Sequence, residues 1–113
     1  MSRDYRLYLD DIQSSAEKII LYTQGLNLES FAADNKTFDA VVLNLQIIGE
    51  SAKNVPDSVK GKYPQVDWRR MAGLRDVIAH GYFGLNEQIL WELTQVQVPQ
   101  LLEQIRHILA KEG

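Results

Sequence analysis

The sequence predicts an all-α fold, an up-and-down bundle of four main helices with one or two short extras. Three observations carry this. Apolar residues recur at helical spacing through long stretches, no stretch alternates as a half-buried strand does, and capping residues precede the apolar runs. The 113 residues suffice for one domain, taken as 1–113, and contain no internal repeat.

The first helix rests on Tyr5, Leu9, Ile12, Ala16, Ile19, Ile20 and Thr23, with Asp10, Asp11, Glu17 and Lys18 on its other side. Gly25 is its expected stop. Asn27 can cap a short helix through Leu28, Phe31 and Ala32, interrupted at Asp34-Asn35. Thr37 is the expected cap of a long helix reaching about Lys53. That third main segment is apolar around most of its circumference, through Phe38, Val41, Val42, Leu43, Leu45, Ile47, Ile48 and Ala52. A second copy of the chain would cover what one small bundle cannot, giving a homodimer; a central helix buried on several sides is the alternative.

Residues 54–67 hold Pro56, Pro64 and Gly61 and predict a loop with at most one helical turn. Asp67 can cap a helix from Trp68 to about Ala79, and Gly81 and Gly84 break the chain after His80. Asn86 caps the last helix, which runs through Ile89, Leu90, Leu93, Val96, Leu101, Leu102, Ile105, Ile108 and Leu109. Pro99 lies inside that run and should kink or split it, because it lacks a backbone donor and crowds the preceding turn.

The absence of cysteine excludes disulfides and thiolate metal sites and favours a reducing compartment. A charged start without a signal peptide, and no apolar run of membrane-spanning length, make a cytoplasmic, soluble protein the expectation. The net charge of −3 argues against a general nucleic-acid coat protein. Its distribution is uneven. From Lys53 to Arg75 the chain carries +4, through Lys53, Lys60, Lys62, Arg69, Arg70 and Arg75, and the remainder carries −7. Such a stretch could guide a polyanion, or could be a solvated face.

It leads into Arg75-Asp76-Val77-Ile78-Ala79-His80-Gly81-Tyr82, which gathers a permanent cation, a carboxylate, an imidazole and a phenol. Arg beside His suits a phosphodiester: the guanidinium binds phosphate oxygens bidentately and the imidazole moves protons near neutral pH. On a continuous helix Arg75 and His80 lie about 140° apart, so the two need not face one point within a single chain. Asp76, four residues before His80, could orient its ring, or form an ordinary helix-end ion pair with it. The helix dipole favours an imidazolium in the last turn. Tyr82, next to Phe83, could equally be a packing aromatic. Glu50, an acid at the centre of the apolar third helix, could meet Arg75, meet a backbone group, or face water. His107 reads as a surface residue. Ser14, Ser15 and Ser51 have no base at useful spacing, and no Gly-rich phosphate loop or metal-ligand pattern is present, so neither metal nor cofactor is expected.

With these residues in view, the sequence resembles the minimal HEPN proteins of the HepT type (DUF86-like), toxins of prokaryotic HepT/MntA toxin–antitoxin pairs. The resemblance rests on Tyr8-Leu9-Asp10-Asp11-Ile12, Asp39-Ala40-Val41, Ile47-Ile48-Gly49-Glu50-Ser51-Ala52-Lys53, Val66-Asp67-Trp68-Arg69, Gly73-Leu74-Arg75, His80-Gly81-Tyr82-Phe83-Gly84 and Leu90-Trp91-Glu92. Asp76 departs from the family, which often has Asn there. The resemblance implies a HEPN-like dimer that brings two Arg–x4–His motifs into one cleft and a metal-independent endoribonuclease. It also implies a type VII-like system in which an MntA-type nucleotidyltransferase silences the toxin by adenylylating a tyrosine. By position, Arg75 and His80 would be catalytic, Asp76 and Glu50 accessory, and Tyr82 the modified residue. The partners implied are RNA, a second copy and the antitoxin, in a complex that can exceed a dimer. Two other readings stay open: a non-catalytic HEPN module that binds a nucleotidyltransferase or nucleotide, and a plain helical dimerisation domain.

Overall fold

The computed structural model describes residues 4–81 and 86–112, with residues 75–81 described as backbone only. Seven α-helices are present among the described residues: α1 (Tyr5–Thr23), α2 (Leu28–Ala33), α3 (Asn35–Asn54), α4 (Asp57–Lys62), α5 (Trp68–Gly81), α6 (Glu87–Glu92) and α7 (Val98–Glu112). A π-helical turn, Leu93–Gln97, joins the last two. Helix α1 packs on α3 and α7, α3 packs on α5, and α2 bridges α3 and α6.

Local chemistry explains the boundaries. Asp4 opens α1 by accepting from the Arg6 N–H at 2.9 Å, and Gly25, at φ +80°, turns the chain beyond its end. Asn27 and Ser30 form a reciprocal capping box at the start of α2. The cap of α3 is Asp34, not Thr37. Asp34 accepts from the Thr37 N–H at 3.1 Å and from the Thr37 hydroxyl at 2.7 Å, and so leaves Thr37 inside the first turn. The supposed interruption at Asp34-Asn35 is one residue that ends α2 and starts α3. The expected loop also holds more helix than one turn. Buried Val59 and Tyr63 anchor the six residues of α4 to the core despite Pro56 and Gly61.

Pro99 splits the last helix as its chemistry requires. In an unbroken α-helix its ring would crowd the carbonyl of Gln95. The wide turn relieves this: Val98 N–H reaches back to the Leu93 carbonyl, and Pro99 becomes the second residue of α7, where a missing donor costs nothing. Inside the turn the buried Thr94 hydroxyl donates to the Trp91 carbonyl at 2.7 Å.

The core is continuous and apolar, with Leu9, Ile12, Ile19, Phe31, Ile48 and Ile105 fully enclosed. Much of the apolar circumference of α3 is covered within one chain by α1 and α5; Leu43 remains 56% exposed. At one end of the bundle the Glu112 carboxylate accepts from the hydroxyls of Tyr5 and Tyr63, each at 2.7 Å, which ties together the start of α1, the entry to α5 and the end of α7. The end of α5 therefore lies at the opposite end, with α2 and α6. There the Phe31 ring sits 5.6 Å from Phe38 and 5.3 Å from Trp91 and fastens α2, α3 and α6 together.

Candidate functional site

Helix α5 forms because Asp67 caps it, accepting from the Arg70 N–H at 3.1 Å, and because Trp68 and Met71 bury one face against the core. The Trp68 indole N–H donates to the Tyr63 carbonyl at 3.0 Å and fixes the angle at which the helix starts. From that anchor α5 carries Arg75, Asp76 and His80 on its last two turns and ends at Gly81. Helical periodicity sets Arg75 on the face of Trp68 and Met71, seven and four residues earlier. His80 falls instead on the face of Gly73 and exposed Arg69, seven and eleven residues earlier. One chain thus presents the two positions to different directions. Asp76, a turn before His80, shares its side of the helix. Tyr82 lies outside the described residues.

Glu50 sits on the exposed side of α3, where its carboxylate takes a 3.4 Å hydrogen bond from the Asn54 side-chain amide. His107 is exposed on α7. Of the basic segment, Lys53, Lys62, Arg69 and Arg70 are exposed, and Lys62 lies 3.6 Å from Glu112. Among the described residues there is no group of three or more His, Asp or Glu side chains able to hold a metal ion, and no helix is long and apolar enough to cross a membrane.

Two constellations escape sequence reasoning. The first is the Glu112 cluster. Hydrogen bonds from Tyr5 and Tyr63 hold its carboxyl below the usual carboxylate range, and the same bonds push both phenols upward. The second is a groove of about 270 Å³ between α5 and the π-turn with α7, floored by Leu45 and Ile48 of α3. Leu74, immediately before Arg75, lines it, so the groove begins beside the motif. A run of glutamines at 95, 97, 100 and 104 is its sequence signal, although only the π-turn decides which of them face inward.

Comparison with known proteins follows the same chain span. The profile of the family described as "Ribonuclease HepT-like" matches residues 12–108. A Methanocaldococcus jannaschii protein named "Putative RNase MJ0127" is 40% identical over 107 residues, 95% of this chain and 88% of its own. "Probable ribonuclease HepT" of Thermococcus cleftensis is 40% identical over 101 residues, 89% of this chain and 92% of its own. A similarly named RNase of Caldanaerobacter subterraneus is 39% identical and covers 95% of this chain and 96% of its own. No solved structure matches.

Proposed function

The chain belongs to the HepT-like ribonuclease family, and from that premise we propose that it is a metal-independent endoribonuclease, the toxin of a toxin–antitoxin pair, with Arg75 and His80 as its catalytic pair. The observation that carries this reading is the spacing Arg75–x4–His80–x–Tyr82 on the end of α5, in a chain matched to the family over nearly its whole length. The two positions diverge around one helix, which favours a cleft completed by a second copy.

In the mechanism, His80 takes the proton of an RNA 2′-hydroxyl. The 2′-oxygen forms a bond to the adjacent phosphorus while the bond from phosphorus to the 5′-oxygen breaks. Arg75 holds the phosphate and neutralises the charge that grows on its oxygens. Water, or His80 of the partner subunit, returns a proton to the leaving 5′-oxygen, and the new end is a 2′,3′-cyclic phosphate. Asp76 acts as an accessory polar group that orients the imidazole, and Glu50 as a second accessory group at the cleft.

Silencing follows from charge and bulk. An MntA-type nucleotidyltransferase attaches AMP to the Tyr82 oxygen, which places a negative phosphodiester and an adenosine next to Arg75 and occludes RNA. Intact-mass measurement with fragmentation across 75–86, with and without the partner, tests the switch. AMP-sized additions on Tyr82 only with the partner are expected, and Tyr82→Phe should escape silencing. Full silencing of Tyr82→Phe by partner and ATP would overturn it. For the cleavage chemistry, a substrate with 2′-deoxy sugars should stay intact, and its cleavage at a comparable rate would refute the 2′-hydroxyl as nucleophile.

A further inference from the structure

We propose that the groove between α5 and α7 is a base-recognition subsite for adenine in single-stranded RNA; this rests on the ribonuclease reading above. Its size points to one flat ring system: about 270 Å³ lies just below the roughly 300 Å³ at which drug-sized pockets begin. Its floor and the inner turn of α5 offer Leu45, Ile48, Met71 and Leu74, apolar surface on which a base can lie. Arg70 stands exposed at the margin, where a guanidinium can meet a backbone phosphate.

The polar side of the groove decides the ligand. Gln97 Oε1 is buried and has no hydrogen-bond partner, one of two such side-chain acceptors among the described residues. A buried unpaired acceptor is destabilising, so it calls for a donor. The π-turn forced by Pro99 is what brings Gln97 to the groove wall. Gln104, further along the wall, is already engaged: its amide donates to the Gln65 carbonyl at 3.1 Å. A wholly apolar occupant, such as the face of a partner helix, would leave Gln97 unsatisfied. A base satisfies it. A carboxamide presents an acceptor beside a donor, the complement of the adenine amino group and its neighbouring ring nitrogen. Because Leu74 lines the groove and precedes Arg75, a base seated here is close in sequence and space to the cleavage motif, as recognition of unstacked bases by ribonucleoprotein clefts requires.

The test is equilibrium binding of short labelled 2′-O-methyl homopolymers of A, C and U to the full chain; the methyl group blocks the nucleophile, so the wild-type protein can be used. The A polymer should bind about tenfold tighter than the C and U polymers. Gln97→Leu, or Gln97→Met as a second variant, should bring A down to the level of the others and leave C and U unchanged. Arg70→Ala should weaken all three alike. Replacing an orphaned buried acceptor with an apolar group should also raise the melting temperature, so lost preference will not reflect lost folding. Equal affinity for A, C and U, or an A preference intact in both Gln97 variants, while RNA is still cut, would overturn the subsite and spare the ribonuclease reading. Neither binding nor cleavage of any RNA by the wild type would overturn both.

Discussion

Removing the Phe31 ring should loosen the end of the bundle that carries the motif. Phe31 is fully buried on a helix of only six residues, and its ring contacts Phe38 and Trp91 at 5.6 and 5.3 Å. So short a helix owes its persistence to packing. Truncation of a buried Phe costs about 3–5 kcal/mol. At about 2.1 cal/mol/K per residue, the unfolding entropy of a chain this long is about 0.24 kcal/mol/K, so Phe31→Ala should lower Tm by roughly 13–21 °C. Phe31→Leu keeps apolar burial and gives up two ring pairs at about 1 kcal/mol each, or about 8 °C. Leu28→Ala, on the same helix but 37% exposed, is the control and should cost about 1 kcal/mol or less. Thermal melts followed by circular dichroism and tryptophan fluorescence, at one protein concentration, give all three values. A Phe31→Ala shift within a few degrees of that for Leu28→Ala would refute the claim that this ring clamps α2, α3 and α6.

Three further outcomes follow from the same geometry. Asn86→Ala removes the oxygen that accepts from the Gln88 and Ile89 N–H groups at 2.8 and 3.2 Å, and should cost about 1 kcal/mol or about 4 °C in a thermal melt. Stability should fall in acid as Glu112 and Asp34 protonate: both carboxyls are held below their ordinary range in the fold, so their contribution is complete above the unfolded value and is lost as pH drops through the folded one. Tyr5 and Tyr63 are raised, so the same cluster weakens in alkali, with stability full below the ordinary tyrosine value and lost as pH rises through the folded one. Denaturation midpoints across pH, compared with those of Glu112→Gln, check this; an acid limb unchanged in the variant would remove Glu112 from the account. Finally, if a second copy covers the outer face of α3, Leu43→Arg should convert a dimer to a monomer by light scattering and lower RNA cleavage with it; a dimer unaffected by that charge would move the interface elsewhere.

Local signals were legible in the sequence because their chemistry is local. Asn27, Asp67 and Asn86 each hold the N–H groups that their position announces. Pro99 broke the last helix for the reason its ring supplies. Asp34 was misread because it serves two helices at once, and Asp-Asn in sequence looks like a gap. Helix α4 was hidden because it depends on tertiary burial of Val59 and Tyr63, which overrides the pull of Pro56 and Gly61 toward loop. The circumference of α3 showed that the helix is covered, but hydrophobicity does not say by which chain. As a string, the motif from Arg75 to Tyr82 was plain. The groove was not, because four separated segments build it and a widened turn aims Gln97; the Glu112 cluster joins residues 107 positions apart.

The central claim concerns the imidazole and guanidinium on α5, and the most direct test is RNA cleavage by the wild type, His80→Ala and Arg75→Ala, each first shown to melt like the parent. Wild type should cut RNA in the presence of chelator and leave 2′,3′-cyclic phosphate ends. Both variants should lose at least about a hundredfold in rate, the scale of a missing general base or charge stabiliser. Cleavage by folded His80→Ala at the parental rate would contradict the account.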